Sequence, residues 1–194
     1  MIMGVYLVSV TARDWSEPGE DGYGDVAAAL NTELGRRGLP PYEPRKAVRE
    51  APGWFEEKIS PSMDGFDGLC RARLTPEERH TLLDWTVLVP FALDDGVLLP
   101  VGSAYTDETL VVGAPHVLAL AERLAAALGL PMDLVPATFG NLELTCWFLE
   151  GEAEKAAATR PGPWADDLAT AFYTALHLRA AQYSLRHGCP MTYC

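Results

Sequence analysis

Apolar residues recur along the chain with two periods, and each period predicts a different kind of element. Residues 4–10 are apolar on both faces of an extended strand, which predicts a strand covered on both sides. Two further apolar runs, 86–93 and 97–101, flank an Asp-Asp-Gly turn and predict a β-hairpin. A fourth strand is predicted at 109–112.

Helical spacing of apolar residues, framed by start and stop signals, predicts four helices. The clearest start is Thr75, Pro76 and Glu78, which form a capping box with proline in the first turn. The predicted helices lie near 25–37, 76–85, 115–128 and 163–187. Together these elements predict an α+β fold in which helices pack on a mostly antiparallel sheet, within a single domain of residues 1–194.

Two segments do not follow either period. Residues 38–73 are rich in proline and glycine, and we expect an irregular insertion or flap there, with short strands or turns near Trp54 and Ile59. Residues 139–158 fit two alternatives. They form either a strand to about Leu149 followed by a helix, or one continuous helix.

The net charge of the chain limits the classes of partner that it is expected to bind. The chain carries 27 Asp and Glu residues against 15 Lys and Arg residues, a formal net charge of −12. An acidic surface repels phosphate backbones, so we expect no nucleic-acid partner. The apolar runs are interrupted by charges, and the N-terminus has no basic leader, which predicts a soluble cytoplasmic protein without a membrane partner.

The cysteines and histidines do not form a recognisable metal or nucleophile motif. Cys189 and Cys194 are close in sequence, but Cys70 and Cys146 are isolated, so we expect free thiols and no metal. No glycine-rich phosphate loop is present, and we predict no cofactor.

One group of polar residues follows the proline-rich segment and could line a ligand cleft. Arg71 and Arg73 can hold an anion, and His80 can act as a base or ligand. His80 and Asp84 also stand one helical turn apart, as a base and its orienting carboxylate would. The candidate ligand-binding residues are Asp64, Asp67, Arg71, Arg73 and His80.

A second group combines aromatic and acidic residues in the loop after the first strand. Aromatic side chains outside regular elements either form a binding surface or pack into a satellite core. The candidate partner-binding residues are Asp14, Trp15, Glu17, Glu20, Asp21 and Tyr23.

Three functions remain open at this point. The first is an acidic interaction protein that binds, neutralises or regulates a basic protein partner. The alternative is a small enzyme or ligand-binding protein with a cleft between the sheet and the 38–73 flap. The third is a structural protein that forms oligomers through the edge of the predicted hairpin.

Overall fold

A computed structural model gives the fold and describes residues 7–19, 22–45, 60–103, 106–138 and 140–193. Within these ranges five strands form one sheet, in the order β1-β5-β2-β4-β3. The strands are β1 (Leu7–Ser9), β2 (Val87–Val89), β3 (Val97–Leu99), β4 (Thr109–Gly113) and β5 (Met191–Tyr193). Three neighbouring pairs are antiparallel and the β2–β4 pair is parallel, so the predicted α+β fold with a mostly antiparallel sheet is confirmed.

The described residues also form nine helices, of which α9 is the longest. The helices are α1 (Ala12–Ser16), α2 (Gly24–Arg36), α3 (Asp64–Arg73), α4 (Pro76–Leu83), α5 (Ala114–Leu128), α6 (Asn141–Leu149), α7 (Glu152–Thr159), α8 (Pro163–Asp166) and α9 (Leu168–His187). Burial around most of the circumference of α9 makes it the central helix of the core, as its wide apolar stripe predicts.

Each side of the sheet is covered by a different set of helices. On one side, which we call the α9 side, Leu88, Val112 and Met191 are buried in a core formed largely with α3, α5, α6 and α9. On the other, the α2 side, Val97 and Leu99 are buried in a smaller core formed with α1 and α2. Alternation of side chains along each strand separates the two cores.

The predicted hairpin between residues 86–93 and 97–101 is wrong. β2 pairs with β4 and β5, and β3 pairs antiparallel with β4 instead. β2 is buried at all three positions, which suits a central strand with a parallel neighbour rather than one arm of a hairpin. Pro90 ends β2 because it has no N–H to donate, and Pro100 follows the edge strand β3.

Three other expectations need correction. Residues 64–73 lie within the predicted irregular flap, but they form α3, which buries Phe66 and Cys70. Residues 46–59, where turns are expected near Trp54 and Ile59, lie outside the described residues. The predicted helix 163–187 is divided at Asp167, whose side chain accepts a hydrogen bond from the Thr170 amide and caps α9. Residues 139–158 contain two helices, because Gly151 at φ 102° interrupts them.

Candidate functional site

An open groove of about 790 Å³ lies beside strand β3 among the described residues. It lies between the C-terminal half of α4 and the strands β3 and β4. We call it the β3 groove. Its lining residues are His80, Asp84, Thr86, Leu98, Thr106, Asp107, Glu108 and Leu110.

Helix α4 supplies the first wall, and its start is fixed by local sequence. The Thr75 side chain accepts a hydrogen bond from the Glu78 amide, and the Glu78 carboxylate accepts one from the Thr75 amide, which is the predicted capping box. Glu78 also binds Arg123 of α5, whose guanidinium donates to both carboxylate oxygens. These contacts anchor α4 against α5 and so position the residues one turn later.

His80 and Asp84 stand one helical turn apart at the groove and form a close pair. His80 Nδ1 lies 2.7 Å from Asp84 Oδ2, and both side chains are more than half exposed. The carboxylate orients the imidazole, and Nε2 has no hydrogen-bond partner among the described residues, so it can meet a ligand. The sequence expectation that these two residues interact is therefore confirmed.

The floor of the groove is formed by apolar side chains on β3 and β4. Leu98 of β3 is directly opposite Leu110 of β4, so both side chains point to the same side of the sheet. Leu98 is 60% exposed, whereas its neighbours Val97 and Leu99 on the other face are each 3% exposed. A leucine this open within a strand creates an apolar surface that solvent can reach.

Carboxylates form the remaining wall. Asp107 and Glu108 are exposed and directly precede β4. Just before them, backbone hydrogen bonds join Ser103 and Thr106. From residue 80 to residue 122 the sequence contains six Asp and Glu residues and no Lys or Arg. Among the described lining residues, His80 is thus the single side chain that can carry a positive charge.

This arrangement suits a cation with a long apolar stem. Lys and Arg side chains lay their methylene groups on apolar surface and hold the charged head in water or against carboxylates. Leu98 and Leu110 offer the apolar surface, and Asp84, Asp107 and Glu108 offer the carboxylates. Electrostatic attraction between such groups strengthens at low ionic strength.

Of the five predicted ligand-binding residues, the structure places His80 in the groove and the other four on α3. Asp67 forms ion pairs with Arg71 at 2.6 Å and with Arg79 at 4.0 Å. Asp64, Arg71 and Arg73 are exposed, and the Arg73 carbonyl accepts a hydrogen bond from Arg123. These four side chains are exposed or pair with a neighbouring arginine on α3 or α4, and their predicted role in ligand binding stays a prediction.

The four described residues of the predicted partner-binding group, Asp14, Trp15, Glu17 and Tyr23, lie on the α2 side. Trp15 is 3% exposed and packs against Tyr23 and Tyr42, so the aromatic residues form part of the smaller core. The Tyr23 hydroxyl donates to Thr192 Oγ1. Glu17 pairs with Arg13 at 3.6 Å, and the Asp14 carbonyl accepts from the Tyr23 amide. Glu20 and Asp21 lie outside the described residues.

Three buried titratable side chains, His177, Cys70 and Cys189, are part of the core. His177, 1% exposed, donates from Nδ1 to the Tyr173 carbonyl at 3.0 Å and stacks on Phe66. Burial lowers the pKa of His177 and keeps the imidazole neutral. Burial also raises the pKa of Cys70 to about 12 and of Cys189 to about 11, so these thiols stay protonated.

The described residues offer no close group of three His, Cys, Asp or Glu side chains that could hold a metal ion. None of the described helices is long and apolar enough to cross a membrane. No protein-family model, curated protein or solved structure matches the chain. Function is therefore inferred from the side chains of the β3 groove.

Sequence reasoning missed Leu98, Asp107 and Glu108. One signal could have found the two acids, because the stretch 80–122 has six carboxylates and no Lys or Arg. The exposure of Leu98 had no signal, since Val97, Leu98 and Leu99 are all apolar and only the packing of the helices distinguishes them.

Proposed function

We propose that the protein is an acidic interaction protein that binds a basic protein partner through the β3 groove. The observation that carries this proposal is the exposed Leu98, which lies in a groove whose described lining includes three carboxylates and no Lys or Arg. A lysine or arginine of the partner places its stem on Leu98 and its charge beside Asp84, Asp107 or Glu108.

The overall charge supports the same partner. A net charge of −12 attracts basic proteins over distances of about 10 Å at moderate salt. Such attraction mainly increases the association rate, while the local contacts set the lifetime of the complex. Binding and neutralising a basic protein is the function that this combination favours.

The test uses a synthetic peptide as the probe. An acetylated, amidated Lys-Val-Lys-Val-Lys-Val-Lys heptapeptide is titrated against the protein at low salt, with the Glu-Val analogue as the negative probe. We expect binding of the Lys/Val heptapeptide alone, weakening as salt rises. The double variant Asp107→Asn with Glu108→Gln loses roughly twofold to thirtyfold in affinity, because each exposed ion pair contributes roughly 0.2–1 kcal/mol.

A matched variant controls for net charge. Glu143→Gln with Glu154→Gln removes the same two charges from exposed positions on α6 and α7, outside the groove. This control retains most of the affinity of the wild type. Equal weakening by both double variants, or equal binding of the Lys/Val and Glu/Val peptides, overturns the proposed function.

A second candidate is a site for a small cationic ligand, which the hydrogen bond between His80 and Asp84 favours. An oriented imidazole in a groove can serve as a base or ligand. The Thr86 hydroxyl donates to the Leu110 carbonyl and accepts from the Leu110 amide, so it is not a free nucleophile. Lysine amide tests this candidate: affinity equal to that of the heptapeptide supports a small ligand, whereas a much tighter heptapeptide supports a protein partner.

A further inference from the structure

Among the described strands, β3 is the last of the sheet at the groove, so one side of its backbone faces away from β4. The direction of each backbone group follows from the hydrogen bonds of β4. The Leu110 carbonyl accepts from the Thr86 amide, and the Leu110 amide donates to Thr86 Oγ1. Both polar groups of Leu110 therefore point toward β2.

Successive residues of a strand point their backbone groups to opposite sides. Thr109 and Val111 consequently point theirs toward β3, where they are opposite Leu99 and Val97. These are the hydrogen-bonded pairs of the β3–β4 ladder. Leu98, between them, points its N–H and C=O away from β4 toward the open edge.

The same residue thus combines two exposed features. Its side chain forms the floor of the groove, and its backbone amide and carbonyl are directed outward beside that floor. An edge strand with outward polar groups is a template for an additional strand. Pro100 has no N–H, so it limits the template to the part of β3 centred on Leu98.

We propose that the partner supplies an extended segment that pairs with Leu98 as a sixth strand and carries Lys or Arg at every second position. This inference rests on the proposed function and specifies the conformation of the partner. The residue opposite Leu98 points its side chain to the same side of the sheet, over the groove. Its neighbours point to the α2 side, away from Asp84, Asp107 and Glu108.

Charge complementarity selects a basic segment over a second copy of this chain. A second β3 strand would bring the carboxylates of one groove against those of another, and the stretch 80–122 has no Lys or Arg to offset them. Like charges placed opposite each other destabilise a strand pair. A basic extended segment instead satisfies the backbone of Leu98 and the carboxylates together.

The experiment separates the backbone of Leu98 from its side chain. Leu98→Pro removes the outward N–H without removing a hydrogen bond to β4, and Leu98→Ala shortens the side chain while keeping that N–H. We expect Leu98→Pro to weaken binding of the Lys/Val heptapeptide by about tenfold or more, from loss of backbone hydrogen bonds and side chain together. Leu98→Ala weakens it by about threefold, from lost apolar contact alone. Far-ultraviolet circular dichroism confirms that both variants fold.

Modified peptides give a second readout that needs no variant protein. One heptapeptide carries a methyl group on the backbone amide nitrogen of every lysine. Another carries it on the backbone amide nitrogen of every valine. Only alternate amides of an added strand point at β3, so one of the two peptides loses binding and the other keeps it. An antiparallel strand predicts the loss for the lysine set, and a parallel strand predicts it for the valine set.

The outcomes distinguish the two proposals. In the first outcome, the Lys/Val heptapeptide binds and its affinity depends on Asp107 and Glu108, but Leu98→Pro weakens binding no more than Leu98→Ala does. If both N-methylated peptides then also bind equally, strand addition is overturned and the proposed function stands. If the wild type does not prefer the Lys/Val heptapeptide over the Glu/Val peptide, the proposed function fails and strand addition fails with it.

Discussion

The two sides of the sheet differ in how far their helices extend toward β3. On the α2 side, helix α2 packs against β3 itself, and Leu99 is 3% exposed. On the α9 side, α9 packs against β1 and β2 and α5 packs against β4. There, at β3, Leu98 is 60% exposed. One strand therefore has a buried face and an open face.

This difference explains how the groove arises. The helices of the α9 side cover the central strands and leave the edge strand open, while α4 ends nearby and brings His80 and Asp84 to the gap. A groove formed at the limit of a helix layer needs no special backbone conformation. The covered face of β3 stabilises the fold, and its uncovered face is available for binding.

The largest expected effect comes from the covered face of β3. Leu99→Ala removes a buried side chain from the α2-side core and should lower the free energy of unfolding by about 2–5 kcal/mol. Leu98→Ala, on the open face of the same strand, is the control and should change it by less than about 0.5 kcal/mol. Urea denaturation measures both. Similar losses for the two variants would mean that the two faces are not covered differently.

The next largest expected effect is a pH dependence of stability caused by His177, the buried histidine on the α9 side. His177 is buried and its pKa is lowered, so the unfolded chain binds the proton more readily than the folded one. Stability is therefore full above the unfolded pKa of about 6.5 and falls as the pH decreases below it, by at most about 1.4 kcal/mol per pH unit. Urea denaturation between pH 7 and pH 5 measures this slope.

The variant His177→Gln removes the titration. It should be less stable at pH 7, because it replaces the ring that stacks on Phe66, but its stability should depend less on pH. Leu99→Ala is the control, since it lowers stability without removing an ionisable group and should keep the slope of the wild type. A His177→Gln variant with an unchanged slope would show that this imidazole is not the source.

Local sequence signals predicted the helices whose first and last residues are marked by capping residues, proline or glycine. The capping box at Thr75 predicted the start of α4, and the predicted helices 76–85 and 115–128 lie close to the observed α4 and α5. The strand β5, by contrast, has three residues and follows a long helix, and it forms only because β1 and β2 pair with it on both sides. Such strands depend on tertiary contacts that no local pattern contains.

The site was less predictable than the fold for the same reason. His80 and Asp84 are one turn apart on a helix, so their contact follows from helical spacing. Their proximity to Leu98 and Glu108 depends on the order of the strands, and the hairpin expected from the Asp-Asp-Gly turn gave the wrong order. The polarity of the groove is visible in the sequence, but its position requires the sheet.

A smaller effect concerns the anchoring of α4 beside the groove. Thr75→Ala removes the N-cap hydrogen bond and should reduce stability by about 0.5–2 kcal/mol. Thr32→Ala is the control, because Thr32 is exposed within α2 and its hydroxyl bonds only the Ala28 carbonyl of its own helix. Thermal denaturation compares the two. Equal losses would indicate that the capping box does not stabilise α4.

The capping box also predicts a dependence on acid. The side-chain hydrogen bond from Arg123, followed by the backbone hydrogen bond from Thr75, lowers the pKa of Glu78 to about 2. The contribution of Glu78 is therefore complete above about pH 4.5 and is lost as the pH falls toward 2. The difference in free energy of unfolding between the wild type and Glu78→Gln, taken across that pH range, measures this contribution. The difference between the two proteins should shrink on acidification, and a constant difference would contradict this role of Glu78.

The smallest expected change in stability comes from the exposed carboxylates beside the open face of β3. Replacing Asp107 by Asn and Glu108 by Gln should change the free energy of unfolding by less than about 0.5 kcal/mol, because both side chains are exposed. The direction should be toward greater stability at low salt, since the chain carries a net charge of −12 and loses two negative charges. Glu143→Gln with Glu154→Gln should give the same small gain. A large loss confined to the Asp107 and Glu108 variant would mean that these carboxylates support the fold. A negligible change in stability, together with weakened binding of the Lys/Val heptapeptide, would mean that the open side of β3 is used for binding and the covered side for folding.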